Sequence, residues 1–160
     1  MFRATEKGQR RDQEDHGTEG PQRRIRDLRI RDVMTKDVVT VTEETSVKML
    51  WSLFKKYDYN AFPVVKGNQL VGIVTKLDFM RIFSPGQSFS RRDFWDMFAT
   101  NVEDISRKAV VTVWPDDSLE KAVEYMVEFG LRSIPVVDGK TLVGIVSRQD
   151  LMEHLIPEHK

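Results

Sequence analysis

The chain has no cysteine. That excludes disulfides, thiolate nucleophiles and cysteine-held zinc or iron–sulfur centres, and it fits a reducing, cytoplasmic setting. Histidine is scarce too: His16, His154 and His159 are the whole set, and two of them lie near the end. A His-based metal site or catalytic triad has too little to work with. No apolar run approaches the ~18 residues that cross a bilayer. Charges fill the first twenty residues, where a signal peptide needs its apolar core. Neither sign of charge is in excess, with 25 Lys+Arg against 25 Asp+Glu. No global field therefore points to nucleic acid or an anionic membrane. What is present is an ordinary soluble balance, 40% hydrophobic and 31% charged over 160 residues. That is enough for one or two compact domains.

The informative feature is a repeat. Phe62-Pro63-Val64-Val65 followed by Leu70-Val71-Gly72-Ile73-Val74-Thr75-Lys76-Leu77-Asp78 returns as Ile134-Pro135-Val136-Val137 and Leu142-Val143-Gly144-Ile145-Val146-Ser147-Arg148-Gln149-Asp150. Gly72 and Gly144, like Asp78 and Asp150, are 72 residues apart, so the repeat is ungapped. Such a repeat sets the architecture before any single residue does.

Each copy reads as strand, helix, strand, strand, helix. In the first, β-branched Val38–Val41 is a strand, and Glu43-Glu44-Thr45-Ser46 supplies helix-start chemistry. Val47, Leu50, Trp51, Phe54 and Tyr57 then form one apolar helix face. Phe62–Val65 and Leu70–Val74 are strands around the Lys66-Gly67-Asn68 turn, and Asp78–Phe83 is helical. In the second, Val110–Val113 is the strand. Asp117-Ser118-Leu119-Glu120 reads as a capping box opening a helix with Leu119, Ala122, Val123, Met126 and Phe129 on one face. Gly130 ends that helix, and Asp138-Gly139 turns a hairpin. The strand–helix–strand step is expected to cross over right-handed to parallel strands, with the hairpin adding an antiparallel one. The fold class is thus α+β: two βαββα units related by pseudo-two-fold symmetry, their sheets flanked by helices. The expected division is a polar tail at 1–22, a first unit with its lead-in at 23–83, a linker at 84–101, a second unit at 102–156 and a tail at 157–160. Linker aromatics Phe89, Phe94, Trp95 and Phe98 are expected to pin it across the pair. Arginines from Arg23 to Arg31 alternate with Ile25, Leu28 and Ile30. They read as a docked lead-in, with a basic nucleic-acid arm as the competing reading.

The tandem arrangement resembles a pair of CBS domains (cystathionine-β-synthase-type domains), a Bateman module. The residues that carry the likeness are Asp32-Val33-Met34-Thr35, Val38–Val41, Phe62–Val65 and Gly72–Asp78, with their counterparts 72 residues on. Roughly Ile25 to Ile156 is covered. The resemblance implies a stand-alone, non-enzymatic regulatory module that binds AMP, ADP, ATP or S-adenosylmethionine and relays a change of shape to a partner. It also implies a homodimer, a disc of four such domains. No catalytic residue, metal or required cofactor is expected, and neither a membrane nor nucleic acid is an expected partner.

Thr75 and Asp78, like Ser147 and Asp150, have capping-box spacing, so one reading is that they only start helices. The other puts a ligand on the same atoms. Thr75 and Ser147 can donate to a phosphate oxygen, and Lys76, Arg148 and Arg132 supply positive charge. Asp78 and Asp150 can accept from the vicinal hydroxyls of a ribose, as the resemblance implies. It further implies an adenine cradle at Val39, Thr40, Ala61, Phe62 and Pro63 and at Val111, Thr112, Ser133, Ile134 and Pro135. Arg132 and Arg148 favour the Asp150 cleft for a phosphorylated ligand. A structural assembly module, with the same residues acting as plain caps, is the alternative.

Overall fold

The computed structural model describes residues 26–84, 96 and 99–156. The elements are α1 (Ile30–Val33), α2 (Val47–Lys56), β1 (Ala61–Lys66), β2 (Gln69–Thr75), α3 (Lys76–Arg81), α4 (Val102–Ile105), α5 (Leu119–Glu128), β3 (Ser133–Asp138), β4 (Thr141–Ser147) and α6 (Arg148–Leu155). Every element of the first half has its counterpart in the second. The linker aromatics Phe89, Phe94, Trp95 and Phe98 lie outside the described residues.

Two hairpins join into one four-stranded antiparallel sheet, ordered β1-β2-β4-β3. The hairpins meet tip to tip, with Gln69 opposite Thr141 and the Leu70 N–H donating to the Lys140 carbonyl at 3.0 Å. The expected opening strands, Val38–Val41 and Val110–Val113, shorten to single parallel bridges, Val41 to Val64 and Val113 to Val136. The Val41 N–H donates to Pro63 and the Val65 N–H to Val41. That is the parallel pairing a crossover requires. Neither Pro63 nor Pro135 has an N–H to lose, so both suit a strand whose neighbour binds only their carbonyls.

Ser46 caps α2 by accepting from the Met49 N–H. Val47, Leu50 and Phe54 turn inward from it, while Trp51 lies half outside and stacks on Phe79 at 5.5 Å. At α5 the expected Asp117–Glu120 box does not form. Ser118 is the cap, accepting from Lys121 N–H. Asp117 instead accepts from the Trp114 N–H at 2.7 Å and pairs with Lys121 at 2.9 Å. Phe129, expected on the buried face of α5, is 52% exposed, because the helix ends before it.

The cores are built by exchange. Ile30 and Val33 of α1 pack among Val113, Leu119, Ile134 and Val146 of the second half. Val102 of α4 packs among Val41, Val47, Phe54 and Phe62 of the first. Backbone bonds fix each crossing: Ile30 N–H to Asp117 and Arg31 N–H to Pro115, mirrored by Val102 N–H to Thr45 and Glu103 N–H to Glu43. Ile30, fully buried, and Leu28, packed against the same core, dock the described end of the Arg-rich segment on the second half. Beyond each short helix the chain crosses a sheet strand, bridging Thr35 to Ile145 and Arg107 to Ile73. These crossings explain the repeated glycines. A Cβ on Gly72 would stand 2.9 Å from the Arg107 carbonyl oxygen, and one on Gly144 would stand 2.6 Å from Met34 Sδ.

Candidate functional site

The two helix starts are built alike. Thr75 precedes α3, and its Oγ1 accepts from the Asp78 N–H at 3.1 Å. Asp78 Oδ2 in turn accepts from the Thr75 N–H at 3.0 Å and its hydroxyl at 2.7 Å. Ser147 and Asp150 repeat the arrangement, in the same order, at 3.2, 2.7 and 2.7 Å. The next N–H of each helix is taken as well, Lys76 by the Asn60 carbonyl and Arg148 by the Arg132 carbonyl. Complete reciprocal boxes leave few free donors at these helix ends. The Thr75 and Ser147 hydroxyl protons are directed at their own aspartates.

The two aspartates diverge at their second oxygen. Asp78 is buried, and its Oδ1 accepts from Arg107 Nε at 2.8 Å and from Arg81 Nη1 at 3.1 Å. A carboxylate has about four acceptor positions, and all four are filled. Asp150 is only half-buried, and its Oδ1 has no partner among the described residues. The cause is a break in the repeat. Arg107 occupies the place that Thr35 holds in the other half, and Glu153 stands where Arg81 would recur.

Two clefts flank the sheet, each walled by both halves. The first, of about 470 Å³, brings Ser147, Arg148 and Asp150 together with Val39, Ala61, Pro63, Arg132 and Ser133. Thr35, Asp37, Val38, Asp58, Tyr59 and Ile145 also line it. Arg132 and Arg148 therefore do converge beside Asp150, but three carboxylates, Asp37, Asp58 and Asp150, offset them. Arg148 is tethered by Nε to the Leu131 carbonyl at 2.6 Å, and Arg132 donates to Asn60 Oδ1 at 3.2 Å.

The second cleft, of about 830 Å³, brings Thr75 and Lys76 together with Val111, Ser133 and Pro135. Arg81, Arg107, Arg132, Ala61 and Phe129 complete much of its wall. Asn60 and Arg132, equivalent positions in the repeat, lie between the clefts and line both. Phe62 and Ile134 are fully buried in the two cores, which leaves only their backbone for the expected cradle. Thr40 and Thr112 line neither cleft, and Asp78 lies behind the second one rather than in it. The residues that sequence reasoning missed, Asp37, Asp58, Arg81 and Arg107 above all, carry much of the charge. A signal existed for one of them, since Arg107 breaks the repeat at the Thr35 position.

Among the described residues no cluster of three His, Asp or Glu side chains could hold a metal, and no helix is long and apolar enough to cross a membrane.

Comparisons with known proteins agree with this architecture. The CBS domain family model matches residues 30–85 and 102–157. The CBS domain-containing protein YhcV of Bacillus subtilis is 32% identical over 113 residues, covering 70% of this chain and 74% of YhcV. Several other curated relatives are longer, and the chain spans only 21% to 40% of their length. The crystal structure of MJ1225 from Methanocaldococcus jannaschii superposes with a TM-score of 0.74 at 26% identity, covering 80% of this chain and 48% of that one. CBSX2, solved in complex with AMP, superposes at 0.68 with 25% identity, covering 79% and 94%.

Proposed function

The chain belongs to the CBS domain family as a tandem pair, and from that premise we propose that it is a ligand-sensing regulatory module whose Asp150 cleft binds an adenosine-containing ligand. The observation that carries the reading is the Oδ1 of half-buried Asp150, without a partner among the described residues, in a cleft of about 470 Å³ with apolar walls at Val38, Val39, Ala61, Pro63 and Ile145. A carboxylate so placed accepts from both hydroxyls of a ribose while its other oxygen still caps α6. The apolar walls suit a purine. That a similar protein, CBSX2, is seen with AMP supports the ligand class.

The energies are sufficient. A micromolar site needs about −8 kcal/mol. Two charge-assisted hydroxyl bonds at ~1.5–3 kcal/mol each, with a buried base, reach that after association costs. In this reading the protein has no catalytic role and needs no cofactor. It works in the cytoplasm as a homodimer, a disc of four domains, and relays occupancy to an effector protein. Exposed Met49, Trp51, Val127 and Phe129 support self-association, which light scattering would measure.

Titration calorimetry with AMP, ATP and S-adenosylmethionine tests the ligand reading. Binding below millimolar that is lost in Asp150→Ala is expected. If none of the three binds, the proposal fails. The completeness of both capping boxes favours one other reading, an assembly module without ligand. It predicts that Asp150→Ala lowers Tm while no adenosine compound raises it.

A further inference from the structure

The helices α2 and α5 hold equivalent places in the repeat, yet their outward faces are opposite in charge. Lys48 and Lys56 of α2 correspond to Glu120 and Glu128 of α5. All four are exposed, and none has an ion pair among the described residues. Between them stand Ser52 on α2 and Glu124 on α5, exposed as well. Residues four apart are neighbours on a helix surface. Lys48, Ser52 and Lys56 therefore make a basic stripe, and Glu120, Glu124 and Glu128 an acidic one. Exposed Met49 and Trp51 flank the first stripe, and exposed Val127 flanks the second.

Both helices lie on one side of the molecule. Gln69 and Thr141 are paired across the sheet, and residues directly opposite share a face. The two hairpins have the same register and the same irregularity, so Val74 and Val146 share a face too. α2 packs with Val74 in the first core, and α5 with Val146 in the second. A two-fold dimer through this side has two arrangements. Either each helix meets its own copy, or α2 of each chain meets α5 of the other. The first sets lysines against lysines and glutamates against glutamates, and like charges across an interface are strongly unfavourable. The second sets Lys48 and Lys56 against the acidic stripe twice over. We infer that two copies of the chain associate head-to-tail, the basic stripe of α2 on the acidic stripe of α5. This rests on the self-association already proposed, and fixes which faces meet.

Sedimentation equilibrium on the full chain tests it. The dimer is expected to weaken as salt is added. Lys48→Glu/Lys56→Glu should raise its Kd at least ~10-fold, and Glu120→Lys/Glu128→Lys should do the same. A chain with all four changes should regain the dimer, because its stripes are exchanged but still opposite. That recovery also excludes misfolding as the cause of the losses. If each helix met its own copy, like charges would stay opposed in every variant and Kd would not move. The absence of cysteine permits a second measurement. In a mixture, a bismaleimide should join Ser52→Cys chains to Glu124→Cys chains faster than it joins either to itself. A dimer whose Kd ignores both double changes, or Ser52→Cys chains that join fastest to one another, overturns the head-to-tail inference alone. A chain that is monomeric at every concentration overturns it together with self-association.

Discussion

Replacing Asp78 by Ala is expected to cost two to three times the stability lost with Asp150→Ala, roughly in the ratio of their bonding partners, although the two residues hold equivalent places in the repeat. Both changes remove the acidic half of a capping box, a loss of about 1 kcal/mol. Asp78 alone also holds two guanidiniums. Hydrogen bonds to charged groups contribute ~1.5–3 kcal/mol when buried. The Arg81 and Arg107 side chains are 58% and 43% exposed, so screening brings each ion pair nearer ~0.5–1 kcal/mol. The totals are about 2–3 kcal/mol for Asp78→Ala against about 1 for Asp150→Ala. At ~2–4 °C per kcal/mol for a chain of this size, Tm falls by roughly 4–12 °C in one case and ~2–4 °C in the other. Calorimetric melting of both variants, with Arg107→Ala and the Asp78→Ala/Arg107→Ala double variant, measures this. The cycle should return a coupling of ~0.5–1 kcal/mol between Asp78 and Arg107. Equal losses at the two aspartates, with no coupling, would refute the claim that the arginines clamp Asp78 alone.

Gly72→Ala is expected to destabilise by ~1–3 kcal/mol, and more than Gly144→Ala. The first presses on the Arg107 carbonyl at 2.9 Å, whereas the second meets the flexible Met34 side chain at 2.6 Å and the Thr35 carbonyl only at 3.0 Å; paired denaturant melts decide it. Ile30→Ala should cost ~2–5 kcal/mol. In hydrogen exchange its loss should loosen α5 and β3 more than α2 and β1, because Ile30 packs in the second core. Burial pushes the Asp117 carboxyl up, but the Trp114 N–H and the Lys121 ammonium outweigh it and hold the group below the usual carboxylate range. Its contribution is therefore complete above that range and fades as pH falls through the lowered folded value. Asp117→Asn should flatten this acid limb in Tm against pH. The hydrogen bond from Lys121 to Asp117 raises the ammonium's own pKa, so its part of the pair is present at neutral pH and lost only as pH rises through that raised value.

The hairpins, the long helices and the equivalence of the halves were legible in the sequence because each is a local pattern. Phe62–Val65 and Ile134–Val137 are short apolar runs beside turn residues, and Val47, Leu50 and Phe54 keep helical spacing. What local pattern cannot carry is the choice between two similar docking faces. Nothing near Ile30 says that it fills the core completed by Ile134 rather than the one completed by Phe62. The charge of the clefts was hidden for the same reason. Asp37 and Asp58 look like ordinary surface acids until the fold sets them opposite Asp150. The Asp78–Arg107 pair spans 29 residues, yet Arg107 stood in plain view as a departure from the repeat. At Thr75–Asp78 the spacing alone carries both a capping-box and a ligand reading, and only the structure shows which oxygens the box and the arginines take.

The exchange of lead-in helices bears on how the chain comes to be folded at all. During synthesis the first half emerges with its helix, hairpin and turn complete, yet its core still lacks Val102, which follows only after the linker. The second core waits on Ile30, made long before and holding an apolar face with nowhere to go. Contacts of such long sequence separation close late and slowly. Folding should therefore run as one cooperative event after the second half has appeared, like a clasp whose two hooks must engage together. A fragment cut between the halves would remain open on both sides.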